Sequence, residues 1–327
     1  MNKIFVSIIV CFIWSGAQAQ DPTFTQFYAN PVYLNPALAG SYGCPRFAMN
    51  YRNEWPQLTG NYVTYSAAYD TYAKNLSGGI GILAMHDQQG QGTIQTSMLG
   101  LIYSYHVKVT RKFSMMFGAR AAWFQKFLDW DKLTFGDMID PVQGFIYPTN
   151  EDIVNYANSK GFTDFAAGFM GFGNANNQFD YYFGFAAHHL TQPEQGFISE
   201  SQLPTKLTIH AGGNFPLNKY SNNVTTLSPN FLYQSQQDFQ QFNYGLYVYR
   251  GPVVGGLWAR NSVENFDAFI VMVGLIQDNF KFGYSYDITV SNLKNSNTLG
   301  AHEISFTLYM PTKTRSKSFN TISCPQF

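Results

Sequence analysis

Apolar and polar residues alternate with a period of two along most of the chain after residue 46. In DYYFGFAAH, Tyr181, Phe183, Phe185 and Ala187 share one face, and Asp180, Tyr182, Gly184, Ala186 and His188 share the other. In NFKFGYSYD, Phe280, Phe282, Tyr284 and Tyr286 alternate with Lys281, Gly283, Ser285 and Asp287. FNYGLYVY (from Phe242) and EISFTLYM (from Glu303) behave the same way. Alternation at this period marks a half-buried strand. Here one face is aromatic or aliphatic, while the other mixes Gly, Ser, Asn and Tyr with an occasional charge. That division fits a strand with lipid outside and a polar lumen inside.

The pattern predicts fourteen strands, at 47–55, 62–72, 78–86, 93–107, 112–127, 161–172, 178–190, 204–215, 224–235, 239–250, 253–260, 266–276, 279–290 and 300–310. The number is even, and most segments reach the roughly 9–11 residues that a tilted spanning strand needs. The expected fold is all-β: a closed antiparallel transmembrane β-barrel of about 14 strands over residues 46–310, in the outer membrane. The connections AKNLS, KVTR, GNANN, PLNKYSNN, GP and QD are short. Those at 128–160, 191–203 and 291–299 are long and fall on the other side. A tight connection near Gln236 is the exception. Long loops face outward in such barrels, so both termini are expected to be periplasmic. The longest loop is acidic, with Asp129, Asp131, Asp137, Asp140, Glu151 and Asp152 against two lysines.

The two ends break the alternation. Lys3 precedes an apolar run, Ile4 to Trp14, which is shorter than the roughly 20 residues of a spanning helix. Ala17-Gln18-Ala19 is a small-x-small motif, so residues 1–19 read as a secretory signal peptide. Cys11 has no small residues immediately before it and is not expected to carry a lipid. The following stretch, QDPTFTQFYANPVYLNPALAG, repeats Asn-Pro at Asn30-Pro31 and Asn35-Pro36. A residue before proline is biased away from helix, and irregular backbone cannot face lipid. Residues 20–45 are therefore expected to fill the lumen as a plug, or to pack at the periplasmic rim against a partner. Phe24, Phe27, Tyr28, Tyr33, Leu34, Asn35 and Pro36 form the candidate docking segment. Residues 311–327 read as a periplasmic tail, basic at Lys313, Arg315 and Lys317.

Composition narrows the function. The sequence is 17% aromatic but only 12% charged, about half the charge of a soluble domain. Removing Lys3 with the signal peptide leaves 19 basic residues against 20 acidic ones. That balance excludes a nucleic-acid partner, which needs a basic surface. Membrane lipid is the expected surrounding.

Candidate chemistry is sparse, and no catalytic, cofactor or metal site is expected. The six histidines, His86, His106, His188, His189, His210 and His302, show no zinc spacing. His302, Glu303 and Ser305 could form part of a hydrolase site only if geometry assembled them, and there is no G-x-S-x-G elbow. Gly78-Gly79-Ile80-Gly81 lacks the lysine of a phosphate loop. HDQQGQG, from His86, reads as a loop whose one carboxylate, Asp87, cannot hold calcium alone. Cys44 and Cys324 each open a Cys-Pro-x-Phe tetrapeptide flanking the strands. An exported pair flanking adjacent first and last strands is a candidate disulfide, the alternative being two thiols.

Four segments together resemble the PorP/SprF membrane proteins of the type IX secretion and gliding systems of Bacteroidetes. They are Gln20-Asp21-Pro22 through Leu34-Asn35-Pro36 to Gly40; Tyr51-Arg52-Asn53-Glu54-Trp55-Pro56; Tyr69-Asp70 with Gly78-Gly79-Ile80-Gly81 and Asp87; and Ser285-Tyr286-Asp287-Ile288-Thr289 with His302-Glu303-Ile304-Ser305. The resemblance implies an outer-membrane barrel without an enzyme site. It also implies partners: periplasmic ring proteins, a peptidoglycan-binding lipoprotein and the C-terminal domain of a secreted adhesin. On this reading the barrel supports export or surface attachment. A channel for small or apolar molecules is the alternative, and a membrane hydrolase a third.

Overall fold

The computed structural model describes residues 21–151, 156–175, 178–217, 224–263, 265–290 and 298–310. The proposed signal peptide, Asp152, Cys324 and the tail 311–327 lie outside the described residues. Fourteen strands close into one antiparallel barrel among the described residues. They are β1 (Arg46–Glu54), β2 (Tyr62–Ala73), β3 (Gly78–Gln89), β4 (Ile94–Lys108), β5 (Phe113–Leu128), β6 (Ser159–Ala175) and β7 (Phe179–His188). The second half comprises β8 (Lys206–Pro216), β9 (Thr225–Gln236), β10 (Phe239–Arg250), β11 (Val253–Ser262), β12 (Phe266–Ile276), β13 (Phe280–Thr289) and β14 (Ala301–Tyr309). Each strand pairs with the next in sequence, and β14 returns to β1 in unbroken register from Arg46↔Tyr309 to Glu54↔Ala301. Closure matters because an open edge would leave unpaired backbone groups in lipid.

The period-two pattern sorts side chains as expected. On β12, Phe269, Val271, Val273 and Leu275 point outward and are exposed, while Ala268, Ile270 and Met272 point inward and are buried. Leu99, Leu101, Tyr103 and Tyr105 form a similar outward row on β4. Such a continuous apolar belt would be untenable in water, and it defines the bilayer-facing surface of an outer-membrane barrel.

The two ends of the barrel differ. At the near rim, where β1 starts and β14 ends, connections are short, including residues 74–77, 109–112, 251–252 and 277–279. Ser77 and Gly251 adopt positive φ there, as tight turns require. The far rim carries the long connections 129–158 and 189–205. The tight link at Gln236 is a two-residue hairpin on the far rim, with Gln237 at φ 53°.

Two strands depart from the sequence reading by three residues at one end. β3 continues through His86 to Gln89, so four residues of HDQQGQG are strand. Its polar residues divide between the two faces: Asp87 faces the lumen, accepting hydrogen bonds from Thr64 Oγ1 at 2.7 Å and Gln89 Nε2 at 2.9 Å, whereas His86 is on the outer face, bonded to Ser97 at 2.9 Å. β6 is longer at both ends than expected, because β5 pairs with it as far as Phe127↔Ser159 at one end and β7 as far as Ala175↔Phe179 at the other.

The belt generates a test. Leu257, mid-strand on β11 and 67% exposed, should not tolerate charge. Leu257→Arg is expected to cost about 2–4 kcal/mol in lipid. Reversible urea unfolding from vesicles would measure it, and an unchanged midpoint would refute the outward assignment.

Candidate functional site

Residues 21–45 run through the barrel's interior. The backbone forms a 3₁₀ turn at Phe27–Ala29, a helical turn at Pro31–Leu34 and a second 3₁₀ turn at Pro36–Leu38. Each proline stands at the start of its turn, where its missing N–H costs nothing. Asn35 caps the last turn, its Oδ1 accepting from Ala37 N–H at 3.0 Å. The docking residues Phe24, Phe27, Tyr28, Leu34, Asn35 and Pro36 are buried, and Tyr33 is partly so. Phe27 packs edge-on against Trp258 at 5.1 Å between ring centres, and Tyr28 against Tyr182 at 5.7 Å. Phe24 meets Tyr33 at 5.3 Å.

Ionic clusters hold this segment at two heights. Toward the far rim, Arg52 on β1 pairs with Asp287 on β13 at 3.1 Å and Glu303 on β14 at 3.5 Å. It also donates to Thr25 Oγ1 at 2.6 Å, and that hydroxyl donates to Asp287 at 2.7 Å. Arg260 on β11 reaches the same Asp287 oxygen at 2.9 Å and Asp267 at 2.6 Å. Glu303 accepts the backbone N–H groups of Thr25 at 2.6 Å and Gln26 at 3.1 Å. At the near rim, Arg46 grips Asp70 through two bonds of 2.9 and 3.0 Å and donates to Leu38 O at 3.2 Å. Asp70 in turn accepts Gly40 N–H at 2.7 Å. Sequence reasoning did not assign these lumenal charges a role. The signal was available: isolated charges on otherwise small inward faces need partners.

Between the clusters the wall is shaped to the segment. Gly118, on β5, and Gly168, its β6 partner, lie directly against Asn35, Pro36 and Ala37. A Cβ on Gly118 would overlap Ala37 N, and one on Gly168 would overlap Asn35 Oδ1. Gly79 similarly makes room for Ala39 O. This close approach lets Asn35 Nδ2 donate to the wall carbonyls of Phe169 at 2.9 Å and Phe185 at 3.2 Å. The four segments that carry the family resemblance meet here. Arg52, Asp70, Gly79, Asp287 and Glu303 all touch residues 21–40, and Ser305 donates to Gln26 at 2.6 Å.

Asp21, the first described residue of the segment, lies at the far rim, opposite the rim where β1 starts, so residues 21–45 cross the lumen. Asp21 N–H donates to Gln236 at 3.1 Å, and its carboxylate meets His189 Nε2 at 2.7 Å. His189 Nδ1 is 3.0 Å from Asp164. Two cavities flank this end. One of about 100 Å³ lies among Phe24, Arg120 and Phe162. One of about 470 Å³ opens beside Arg52, Trp55 and Asp267.

The other singled-out residues do not assemble chemistry. His302 faces outward and meets the Tyr284 hydroxyl at 2.8 Å, whereas Glu303 and Ser305 face the lumen, so the three form no triad. Cys44 lies just before β1, while Cys324 is outside the described residues, and the pairing stays a proposal. Among the described residues, no group of three His, Cys, Asp or Glu is placed to hold a metal ion.

The described residues of the longest far-rim loop are folded. Trp130 stacks on Tyr156 at 5.5 Å, and Ile139–Asp140 pairs with Gly144–Phe145. Asp140 accepts the N–H groups of Val142 at 2.8 Å and Gln143 at 2.9 Å and the Tyr147 hydroxyl at 3.0 Å. The two backbone donors hold its carboxyl below the ordinary value of 3.8 against an opposing desolvation, and the tyrosine adds to the lowering. The turn so formed presents Val142, 91% exposed, and Phe145, 59% exposed, away from the barrel.

Comparison with known proteins follows from this geometry. A family model described as type IX secretion system membrane protein PorP/SprF matches residues 16–308. No curated protein matches the sequence. The fold is similar to that of the Ralstonia pickettii toluene transporter TbuX, with TM-score 0.51 and 12% identity over 86% of this chain and 93% of that one. The monoaromatic hydrocarbon channel CymD gives TM-score 0.47 and 10% identity over 87% and 93%. The KdgM porin gives 0.39 and 8% over 81% and 99%. At these identities the likeness concerns the barrel fold alone.

Three outcomes are expected. Asp287→Ala leaves Arg52 and Arg260 facing each other, and breaking such a buried set costs about 3–5 kcal/mol, measurable by urea unfolding. Gly168→Val should push Asn35 off the wall and speed hydrogen exchange at Ala37 N–H without unpairing β5 from β6. Asp140 should titrate below 3.8. A depressed folded-state pKa contributes stability above the unfolded value and loses it as pH falls through the folded one. Exchange at Val142 and Gln143 should therefore rise only below that pH, and a carboxyl NMR titration of Asp140 reads the midpoint directly.

Proposed function

The chain belongs to the PorP/SprF family of type IX secretion system membrane proteins, and from that premise we propose that it escorts or anchors secreted surface proteins such as large adhesins. It acts without catalysis, as an interaction protein. The single observation that carries this reading is the filled lumen. Residues 21–45 occupy the space a solute would need, and ion pairs and wall contacts hold them there. That occupancy weighs against the channel alternative. The working surfaces are then the rims.

The rims have different roles on this reading. The far rim, with the long loops, faces the exterior, as in other outer-membrane barrels. Its exposed Val142 and Phe145 suit the C-terminal domain of an exported protein, since apolar residues held out on an ordered loop favour association. The near rim faces the periplasm, where ring proteins and a peptidoglycan-binding lipoprotein would meet the short turns.

Affinity purification from membranes with mass spectrometry tests the proposal. The native barrel should recover a secreted surface protein together with type IX components. Val142→Asp with Phe145→Asp should lower recovery of the surface protein at least tenfold while barrel yield and periplasmic partners stay constant. These side chains are exposed, so folding should be unaffected. Recovery of neither class of partner, together with ion conductance of the native barrel in planar bilayers, would overturn the reading in favour of a channel.

A further inference from the structure

The smaller far-rim cavity contains a cation without a hydrogen-bonded counterpart. Arg120, on β5, is only 3% exposed, and its Nε and Nη1 have no hydrogen-bond partner among the described residues. The adjacent carboxylate, Asp164, stands 4.0 Å from Nη2 through its Oδ2, the oxygen that His189 holds at 3.0 Å, while its Oδ1 has no hydrogen-bond partner among the described residues. Leaving buried donors unmet is costly, so this arrangement points to a bound group.

The surroundings specify its chemistry. His189 sits between two carboxylate oxygens, of Asp164 at 3.0 Å and Asp21 at 2.7 Å. Both ring nitrogens must donate there, which makes the ring an imidazolium. Arg120, Lys126, Lys206 and His189 then supply four positive charges against three from Asp21, Asp87 and Asp164, leaving one positive in excess. The remaining walls include Phe24, Met85, Met98, Phe124, Phe162 and Leu203. Half-buried Gln89 and Ile94 border the cavity at the far rim.

We propose that this cavity binds a small carboxylate with an apolar body. The carboxylate accepts a charge-assisted hydrogen bond from one of the unmet Arg120 donors, Nε or Nη1, which lie on different edges of the guanidinium. The apolar body lies among the phenylalanine and methionine side chains. The volume of about 100 Å³ sets the size: an apolar cavity of about 150 Å³ accepts benzene, so the body is smaller than one ring, a short chain. The site sits beside Asp21 and Phe24, so occupancy also braces the outer end of the lumenal segment. It stands independently of the export reading, since neither observation uses the other.

Propionate and butyrate, titrated into the purified full-length barrel in detergent and followed by calorimetry, test the proposal. At least one should bind saturably, and its neutral amide, propionamide or butyramide, should bind at least tenfold more weakly. Arg120→Gln should remove that preference. Leu203→Trp, which fills the cavity without touching a charge, should abolish binding. The acid-versus-amide comparison on the native protein stands even where a variant fails to fold. Failure of both acids to bind, or equal binding of acid and amide, overturns the proposal.

Discussion

Arg52 joins parts of the chain that are far apart in sequence. It sits on β1, faces Glu303 across the closing β1–β14 ladder, and reaches Asp287 one strand further on. The same three side chains hold Thr25 and Gln26 of the lumenal segment. Closure of the barrel and filling of its lumen therefore share one buried network. Such a set gives modest net stability, since desolvation offsets most of the Coulomb attraction. What it supplies is mutual dependence, because removing any member strands buried charge.

Ordering residues 21–45 has its own cost, about 1–2 kcal/mol of backbone entropy per residue. Buried aromatic packing on Trp258 and Tyr182 offsets part of it. Wall glycines offset more, by letting Asn35 bond directly to the carbonyls of Phe169 and Phe185. A side chain at Gly118 or Gly168 would hold the segment off by a few ångströms and lose those bonds. The interior is therefore a packed polar core built around a strand-free segment, closed at the near rim by Arg46, Asp70 and Gly40.

This construction separates two kinds of surface. The outward belt is committed to lipid and the lumen to the chain's own segment. What is left for other molecules is the far-rim loops, the near-rim turns and the small spaces beside Asp21. Membership of a type IX secretion family agrees with a protein whose exposed features are at its ends. The residues that carry the family resemblance support the same view from inside. Arg52, Asp70, Gly79, Asp287 and Glu303 serve the lumenal segment, so what the resemblance tracks is the filled barrel.

The sequence alone determined the barrel, because alternation along each strand is a local property. Tyr181, Phe183 and Phe185 are outward for the same reason that Tyr182, Gly184 and Ala186 are inward, whatever lies around them. It also determined that Asn30-Pro31 and Asn35-Pro36 break the regular backbone, since proline acts on its own and the preceding residue. Polar strand ends were less legible: His86 to Gln89 looked like a loop because both faces are polar there, Asp87 toward the lumen and His86 outward beside Ser97, so the alternation vanishes. Only the tertiary structure decided that Asp21 lies at the far rim, that Arg52 meets Asp287 and Glu303 over 235 and 251 residues of chain, and that Arg120 Nε and Nη1 have no hydrogen-bond partner among the described residues. These depend on strand register and on the path of one segment through a closed ring, and a charge's partner across a lumen leaves no periodic trace along the chain.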